Sequence, residues 1–277
     1  MAINLAKKME SKTSDLLKAR RKSKQFTNDD WSWDGVNSID VTTLEDPVMN
    51  DYNPNGDNRY GDATEVEDTV QNWALTRDRS WTKTIDKKNY QDAMMIRKPG
   101  KYLAQATKNV LVPEIDTYIF QTIATVGALY NRDDIVADAA TSASNAWTNF
   151  LDINADISDN EAPEEGRMAA MTAQYYNYLK QGGFVLDSDS AYRDRKTGKL
   201  GTVDGCGVVI VPSSRMPAST DLIISHPIAT VAPEKLVDYT LHKNPKGISG
   251  DLLEYRHRYD AFVDINKVDC IGIHKTA

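Results

Sequence analysis

A hairpin that cannot stand alone constrains this chain more than anything else in it. Ser38-Ile39-Asp40-Val41-Thr42-Thr43-Leu44 is rich in β-branched residues, and so is the run Thr69 to Ile85. Between them lies the polar loop Glu45 to Asp68, punctuated by Pro47, Pro54, Gly56 and Gly61. It carries eight acids, and Arg59 is its only base. Loops beyond about 12–15 residues without structure of their own are uncommon and usually functional or disordered. A lone two-stranded hairpin is marginal in water. If this one is ordered, a surface outside it must hold it, and the simplest such surface is another copy of the chain. Along the return run, Trp73, Leu75, Arg77, Arg79, Trp81, Lys83 and Ile85 share one face by period-two alternation. That pattern suits a half-buried sheet face with Lys and Arg stems lying over it. It equally suits a strand that sticks to a partner.

Charge is unevenly spread. Met1 to Lys24 holds eight Lys or Arg against Glu10 and Asp15, whereas Thr27 to Asp68 holds twelve acids against Arg59. One reading is a solvated tail beside a solvated loop. The sharper one is a basic arm of one subunit meeting acidic surface on a neighbour. The overall charge of -7 argues against general nucleic-acid binding, which needs a basic surface to neutralise phosphates. A length of 277 residues allows one large or two modest domains. The mean hydropathy of -0.53 points to much surface per core. No apolar run approaches a membrane span of about 18 residues, and the N-terminus has no secretory apolar core. Cys206 and Cys270 lie in strand-like runs and read as buried free thiols of a protein made in the cytoplasm.

Ser11 to Gln25 reads as a short charged helix, followed by Trp31, Trp33 and Val36 in a loop that pins the arm to a body. Asn89 to Ala128 reads as helical apart from a break at Pro99-Gly100. One stripe is Leu111, Ile115, Ile119 and Ile123; a second is Leu103, Ala106, Val110 and Thr117. Pro113 is expected to kink that helix or open a second one. Asp133 starts another helix with the stripe Ile135, Ala139, Ala143, Trp147 and Leu151. Arg167 to Met171 is a short strand, and Thr172 caps the helix Ala173 to Lys180. Short strands follow at 208–211, 222–225 and 229–231. Alternation from Leu253 to Val263 and the run Ile271-Gly272-Ile273 complete an α+β chain without internal repeats.

No reaction class can be assembled from these residues. His226, His242, His257 and His274 have no ligand partner at helical spacing, and neither cysteine belongs to a CxxC pair. Ser213-Ser214-Arg215 lacks the glycines of a nucleophile elbow, and Gly198-Lys199-Leu200-Gly201 has the wrong spacing for a phosphate loop. The expectation is a protein that is not an enzyme, with no catalytic residues, cofactor or metal.

Word-level matches then converge in order along nearly the whole chain. They begin with Met49-Asn50-Asp51-Tyr52-Asn53 through Arg59-Tyr60-Gly61, Thr76-Arg77-Asp78-Arg79-Ser80 and Thr84-Ile85-Asp86. Pro113-Glu114-Ile115-Asp116-Thr117-Tyr118, Gly198 to Gly205, Val211-Pro212-Ser213-Ser214 and His226-Pro227-Ile228-Ala229 continue them. Pro233-Glu234-Lys235-Leu236 to Gly247-Ile248-Ser249-Gly250 and Tyr259-Asp260-Ala261-Phe262-Val263 close the set. In these stretches the chain resembles tailed-phage major capsid proteins of the Hong Kong 97 fold, in the group common among phages of Gram-positive hosts.

The resemblance implies an N-terminal arm over residues 1–36 and an extended E-loop over 37–88. It implies a P-domain of 89–131 and 232–277, with a long spine helix and closing strands, and an A-domain of 132–231. By the same resemblance, copies build the hexamers and pentamers of an icosahedral shell that encloses double-stranded DNA without sequence-specific binding. Portal and scaffolding proteins are the implied partners, and no membrane is involved. The shell would assemble in the host cytoplasm and reside in the virion. Arg20, Arg21, Arg59, Tyr60, Trp73, Arg77, Arg79 and Trp81 are the expected subunit-interface residues. Cross-linking in the founding member joins a loop Lys to a neighbour's Asn. No Lys lies between Lys24 and Lys83 here, so no such isopeptide link is expected. An encapsulin-type nanocompartment shell is the alternative within the fold, and a soluble enzyme with an acidic lid at 45–68 the alternative outside it.

Overall fold

The computed structural model describes residues 21–31, 33, 37–55, 58–87, 99–132, 140–181 and 202–276. The helical expectations at Ser11 to Arg20, Asn89 to Lys98 and Asp133 to Ala139 lie outside the described residues, as does the interface residue Arg20. The chain divides into two compact units, one of Trp33–Leu75 and one of the remainder.

The smaller unit is a ribbon of β1 (Ser38–Leu44) and β2 (Asp68–Ala74), paired antiparallel from Ser38 opposite Ala74 to Leu44 opposite Asp68. Its burial is sparse: Val41, Gln71, Trp73 and Leu75 are buried, while Leu44, Val66 and Val70 are exposed. The return run, expected as one strand, is two. At Thr76 the chain leaves the ribbon, and β3 (Asp78–Asp86) joins a different sheet. Period-two alternation persists through both strands, so the pattern alone could not mark the break.

In the larger unit, β3 pairs with β10 (Gly250–Tyr259), which pairs in turn with β9 (Glu234–Lys243), all antiparallel. Leu253, Tyr255, His257 and Tyr259 are buried in alternation on β10, as the sequence pattern requires. The second sheet has the order β12-β7-β4-β6-β5. Its strands are β4 (Met168–Thr172), β5 (Thr202–Val203), β6 (Cys206–Val211), β7 (Thr220–Ser225) and β12 (Ile271–Lys275), with only β4 and β6 parallel. A small pair, β8 (Thr230–Val231) with β11 (Phe262–Val263), completes the strands.

A nearly continuous helix runs through the unit as α1 (Pro99–Ala106), a π-helical turn (Thr107–Leu111) and α2 (Val112–Leu129). Pro113 sits in the first turn of α2, where its missing N–H costs least. The strain expected of it appears one turn upstream, where the Val112 N–H reaches back to the Thr107 carbonyl. A π turn inserts one residue and rotates the helix face by about 100°. The stripe Leu111, Ile115, Ile119 and Ile123 is therefore buried, but Val110 of the other expected stripe is 54% exposed and Thr107 takes the inward place.

Helix α3 (Ala146–Asp159) begins later than the sequence pattern suggests. Asn145 accepts from the Ser142 backbone N–H at 2.7 Å and from its hydroxyl at 3.1 Å, holding 142–145 as a turn. The buried stripe becomes Ala146, Phe150, Ile153 and Ile157, with Trp147 only partly covered. Ile153 and Gly272 of β12 approach so closely that a Cβ on the glycine would lie 2.5 Å from the Ile153 Cγ2. The cap at α4 (Ala173–Gln181) forms as expected, with the Tyr175 N–H donating to the Thr172 hydroxyl at 3.2 Å.

Candidate functional site

No metal-binding group of three or more His, Cys, Asp or Glu occurs among the described residues. What the structure builds instead is a set of polar rivets around α2 and surfaces left for a partner. The first rivet gathers around Glu114, in the first turn of α2. Its Oε1 accepts from Arg79 Nε at 2.8 Å, Arg77 Nη2 at 3.0 Å and the Tyr259 hydroxyl at 3.3 Å. Arg77 also donates from Nε to Tyr259 at 2.9 Å and lies 4.2 Å from the Tyr118 ring centroid, a cation–π contact. Partial burial works to raise the Glu114 carboxyl, but the Arg77 hydrogen bond and the charge of Arg79 carry it below its usual value. Asp260 completes the group. It accepts from the Thr76 N–H at 2.8 Å, the Thr76 hydroxyl at 3.1 Å and the Tyr118 hydroxyl. Burial and that bond to Asp260 push the Tyr118 phenol up to about 12.

The second rivet is Asp116, fully buried on α2. It accepts from the backbone N–H of Lys22 at 3.2 Å and of Ser23 at 3.1 Å, from the Ser23 hydroxyl at 2.8 Å and from Arg215 Nη1 at 3.0 Å. It thereby ties the N-terminal segment and the 3₁₀ turn Ser213–Arg215 to one helix. Three residues on, Phe26 packs edge-on against Phe120 with ring centroids 5.4 Å apart. Within this unit Phe26 therefore provides the anchor that was expected of Trp31, which is partly exposed.

The third group joins Arg21 to Glu234, whose other oxygen lies 3.6 Å from His257 Nε2. His257 is wholly buried, and neither ring nitrogen has a hydrogen-bond partner. Burial, helped by Arg21, depresses its pKa to about 4. Burial lowers His274 as well. A histidine held neutral in the fold but free to protonate when unfolded stabilises the fold above its unfolded pKa of about 6.5 and loses that contribution as pH falls towards 4. For His257, stability is therefore expected to decline across pH 6.5 to 4 by up to about 1.4 kcal/mol per pH unit. His257→Phe, which removes two unpaired nitrogens, is expected to flatten that limb in urea titrations at stepped pH. An unchanged slope would exclude His257 as its source.

The expected interface residues fall into three groups. Arg21, Arg77 and Arg79 are already paired within the subunit, to Glu234 and Glu114, so they are not held free for a neighbour's acids. Trp81 is half-buried: it stacks on Tyr255 at 5.7 Å and meets Tyr102 edge-on at 5.7 Å. Trp73 is buried in the ribbon unit. Arg59 and Tyr60 lie on the exposed loop, where Tyr60 is 85% exposed and its ring sits 5.1 Å from that of Tyr52. Val48 and Met49 nearby are 82% and 92% exposed. Sequence reasoning did not single out Glu114, Asp116 or Asp260 as anchors. A lone acid in a helical pattern looks like a solvated face, and only the fold shows what comes to meet it.

Comparison with known proteins supplies the context for this architecture. Residues 62–194 match the family model of the P22 coat protein, gene protein 5. A solved structure from Mycobacterium phage Che8 superposes with a TM-score of 0.69 at 15% identity, covering 91% of this chain and 90% of that one. The capsid structure of cyanophage P-SCSP1u gives 0.66 at 13% identity, over 87% and 84% of the two chains. The chain has the Hong Kong 97 type of fold seen in these phage capsid structures. The crystal structure of a virus-like particle from Pyrococcus furiosus also shares this capsid fold, with a TM-score of 0.59 at 11% identity over 98% and 99% of the chains. No curated protein sequence matches the chain.

Proposed function

We propose that this chain is the major capsid protein of a tailed phage, a structural subunit whose copies close into an icosahedral shell of hexamers and pentamers. The coat-protein match over residues 62–194 carries this reading, joined to a fold shared with a cyanophage capsid. In it, residues 1–36 act as the arm, 37–88 as the E-loop, 89–131 with 232–277 as the P-domain and 132–231 as the A-domain. The helix formed by α1 and α2 is the spine. Double-stranded DNA is enclosed rather than bound, which suits a subunit of charge -7. A separate scaffolding protein and a portal are the partners of assembly in the host cytoplasm. Function then resides in repeated interfaces and not in catalysis.

The exposed loop residues support a partner of the same kind. Val48, Met49 and Tyr60 are too apolar and too exposed to face water without reason. A second reading, a nanocompartment shell filled with protein cargo, draws on the likeness to the Pyrococcus furiosus particle. Expression of the full chain, alone and with its neighbouring genes, followed by negative-stain microscopy, is expected to show closed uniform shells. A persistent monomer would sink both readings. Nuclease-protected DNA in particles from infected cells supports the phage shell, and a protein cargo in its place supports the compartment.

A further inference from the structure

The ion pair that Arg21 of the N-terminal segment makes with Glu234 sits against a buried histidine. The Arg21 side chain is 6% exposed and also donates from Nε to the Ser23 hydroxyl at 3.0 Å. His257 on β10 is wholly buried, with the rings of Tyr255 and Tyr259 at centroid distances of 6.2 and 4.8 Å. Its Nε2 lies 3.6 Å from the Glu234 oxygen that Arg21 leaves free, too far for a hydrogen bond. Each neighbouring element brings its own groups to this spot. β9 begins with Glu234 and sets Val237 opposite His257. β3 sets Arg79 opposite it, and Arg79 and Arg77 are both committed to Glu114 of α2. Asp116 and Asp29 are the next acids around Arg21.

Glu234 serves one cation while the ring is neutral. Protonation makes it serve two, where little water screens them. One carboxylate cannot neutralise both, and Arg21 and His257 then repel each other across it. Burial already pushes the Arg21 guanidinium down and, helped by Arg21, holds the ring at about 4. His257 is fixed in the middle strand of its sheet, whereas Arg21 belongs to a segment outside the sheets and is able to leave. We infer that residues 21–24 form an acid-sensitive latch, held on the body by Arg21 while His257 is neutral and released when His257 is protonated. Linkage fixes the sign. Arg21 in place disfavours the proton on His257, so the proton equally disfavours Arg21 in place. The latch is closed above about pH 6.5, the ordinary value of a histidine, and opens as pH falls towards 4. The residues it holds end a basic stretch, with eight Lys or Arg between Met1 and Lys24. The device acts within one subunit, so it goes beyond the shell reading and does not rest on it.

The test is hydrogen exchange of the full-length unassembled subunit, read by mass spectrometry at stepped pH and corrected for the intrinsic rate. The Lys22 and Ser23 N–H groups, both donating to Asp116, report the latch. Their protection is expected to fall by up to about tenfold per pH unit between pH 6.5 and 4, while the amides that pair β9 with β10 stay protected. In His257→Phe the fall is expected to vanish. An equal fall in that variant would assign the effect to Asp116 or Glu234 and overturn the inference. Simultaneous loss of protection in β9 and β10 would be unfolding of the sheet, and overturns it as well. Arg21→Gln tests the coupling even where His257→Phe does not fold. With the four histidine rings isotopically labelled, it is expected to raise the titration midpoint of one of them, His257. Four unmoved midpoints overturn the latch. Failure of the chain to form shells leaves each of these expected results unchanged, so the two readings fail separately.

Discussion

Asp116→Ala is expected to destabilise the subunit by about 3–5 kcal/mol, the range typical of removing one partner from a buried ion pair. The carboxylate is fully buried and receives two backbone N–H groups, a hydroxyl and a guanidinium. Its loss leaves the Arg215 charge, 20% exposed, and the buried Ser23 polar groups without their acceptor. Asp116→Asn keeps one acceptor oxygen and loses the charge, so about 1–3 kcal/mol is expected. The order wild type, Asn, Ala in urea midpoints checks the energetics. A second readout checks the cause. With the rivet gone, residues 21–24 lose their hold on α2, and trypsin is expected to cut after Lys22 and Lys24 faster in the alanine variant. Unchanged cleavage together with a shift below about 1 kcal/mol would mean that Phe26 alone seats the segment.

How far the sequence disclosed this structure depended on whether a signal was local. Period-two burial of Leu253, Tyr255, His257 and Tyr259 and the Thr172 cap were legible because strand and cap chemistry act over a few residues. The ordered word matches, which run along most of the chain, disclosed the capsid fold. The break at Thr76 was not legible. β2 and β3 share one alternation, and Asp260, distant in sequence, fixes Thr76 in the larger unit. The outward turn of Val110 was hidden for a related reason. Pro113 announced a disturbance, but whether it becomes a kink, a second helix or a π turn depends on what packs against both halves. For the expected interface residues, sequence reading could not see that Glu114 already claims both Arg77 and Arg79.

That claim divides two residues which sequence alone would group as a single sticky strand. Trp81 faces Tyr255 across the β3–β10 pair and stacks on it with an interplanar angle of 17°, and Tyr102 closes the other side. Trp81→Ala removes most of a large side chain that is only half-buried, so about 2–3 kcal/mol is expected, below the roughly 3–5 of a fully buried Trp. Arg79 is 57% exposed on its side chain, and Arg77 still serves Glu114 without it. Arg79→Ala is therefore expected to cost no more than about 1 kcal/mol. Loss of assembly in Trp81→Ala is expected to accompany a lowered urea midpoint of the unassembled subunit, whereas any loss in Arg79→Ala occurs with the midpoint intact. Sedimentation of both variants beside their unfolding curves separates a weakened subunit from a weakened interface. A Trp81→Ala subunit as stable as wild type yet unable to assemble would show that the ring acts on a neighbouring copy rather than in the β3–β10 stack.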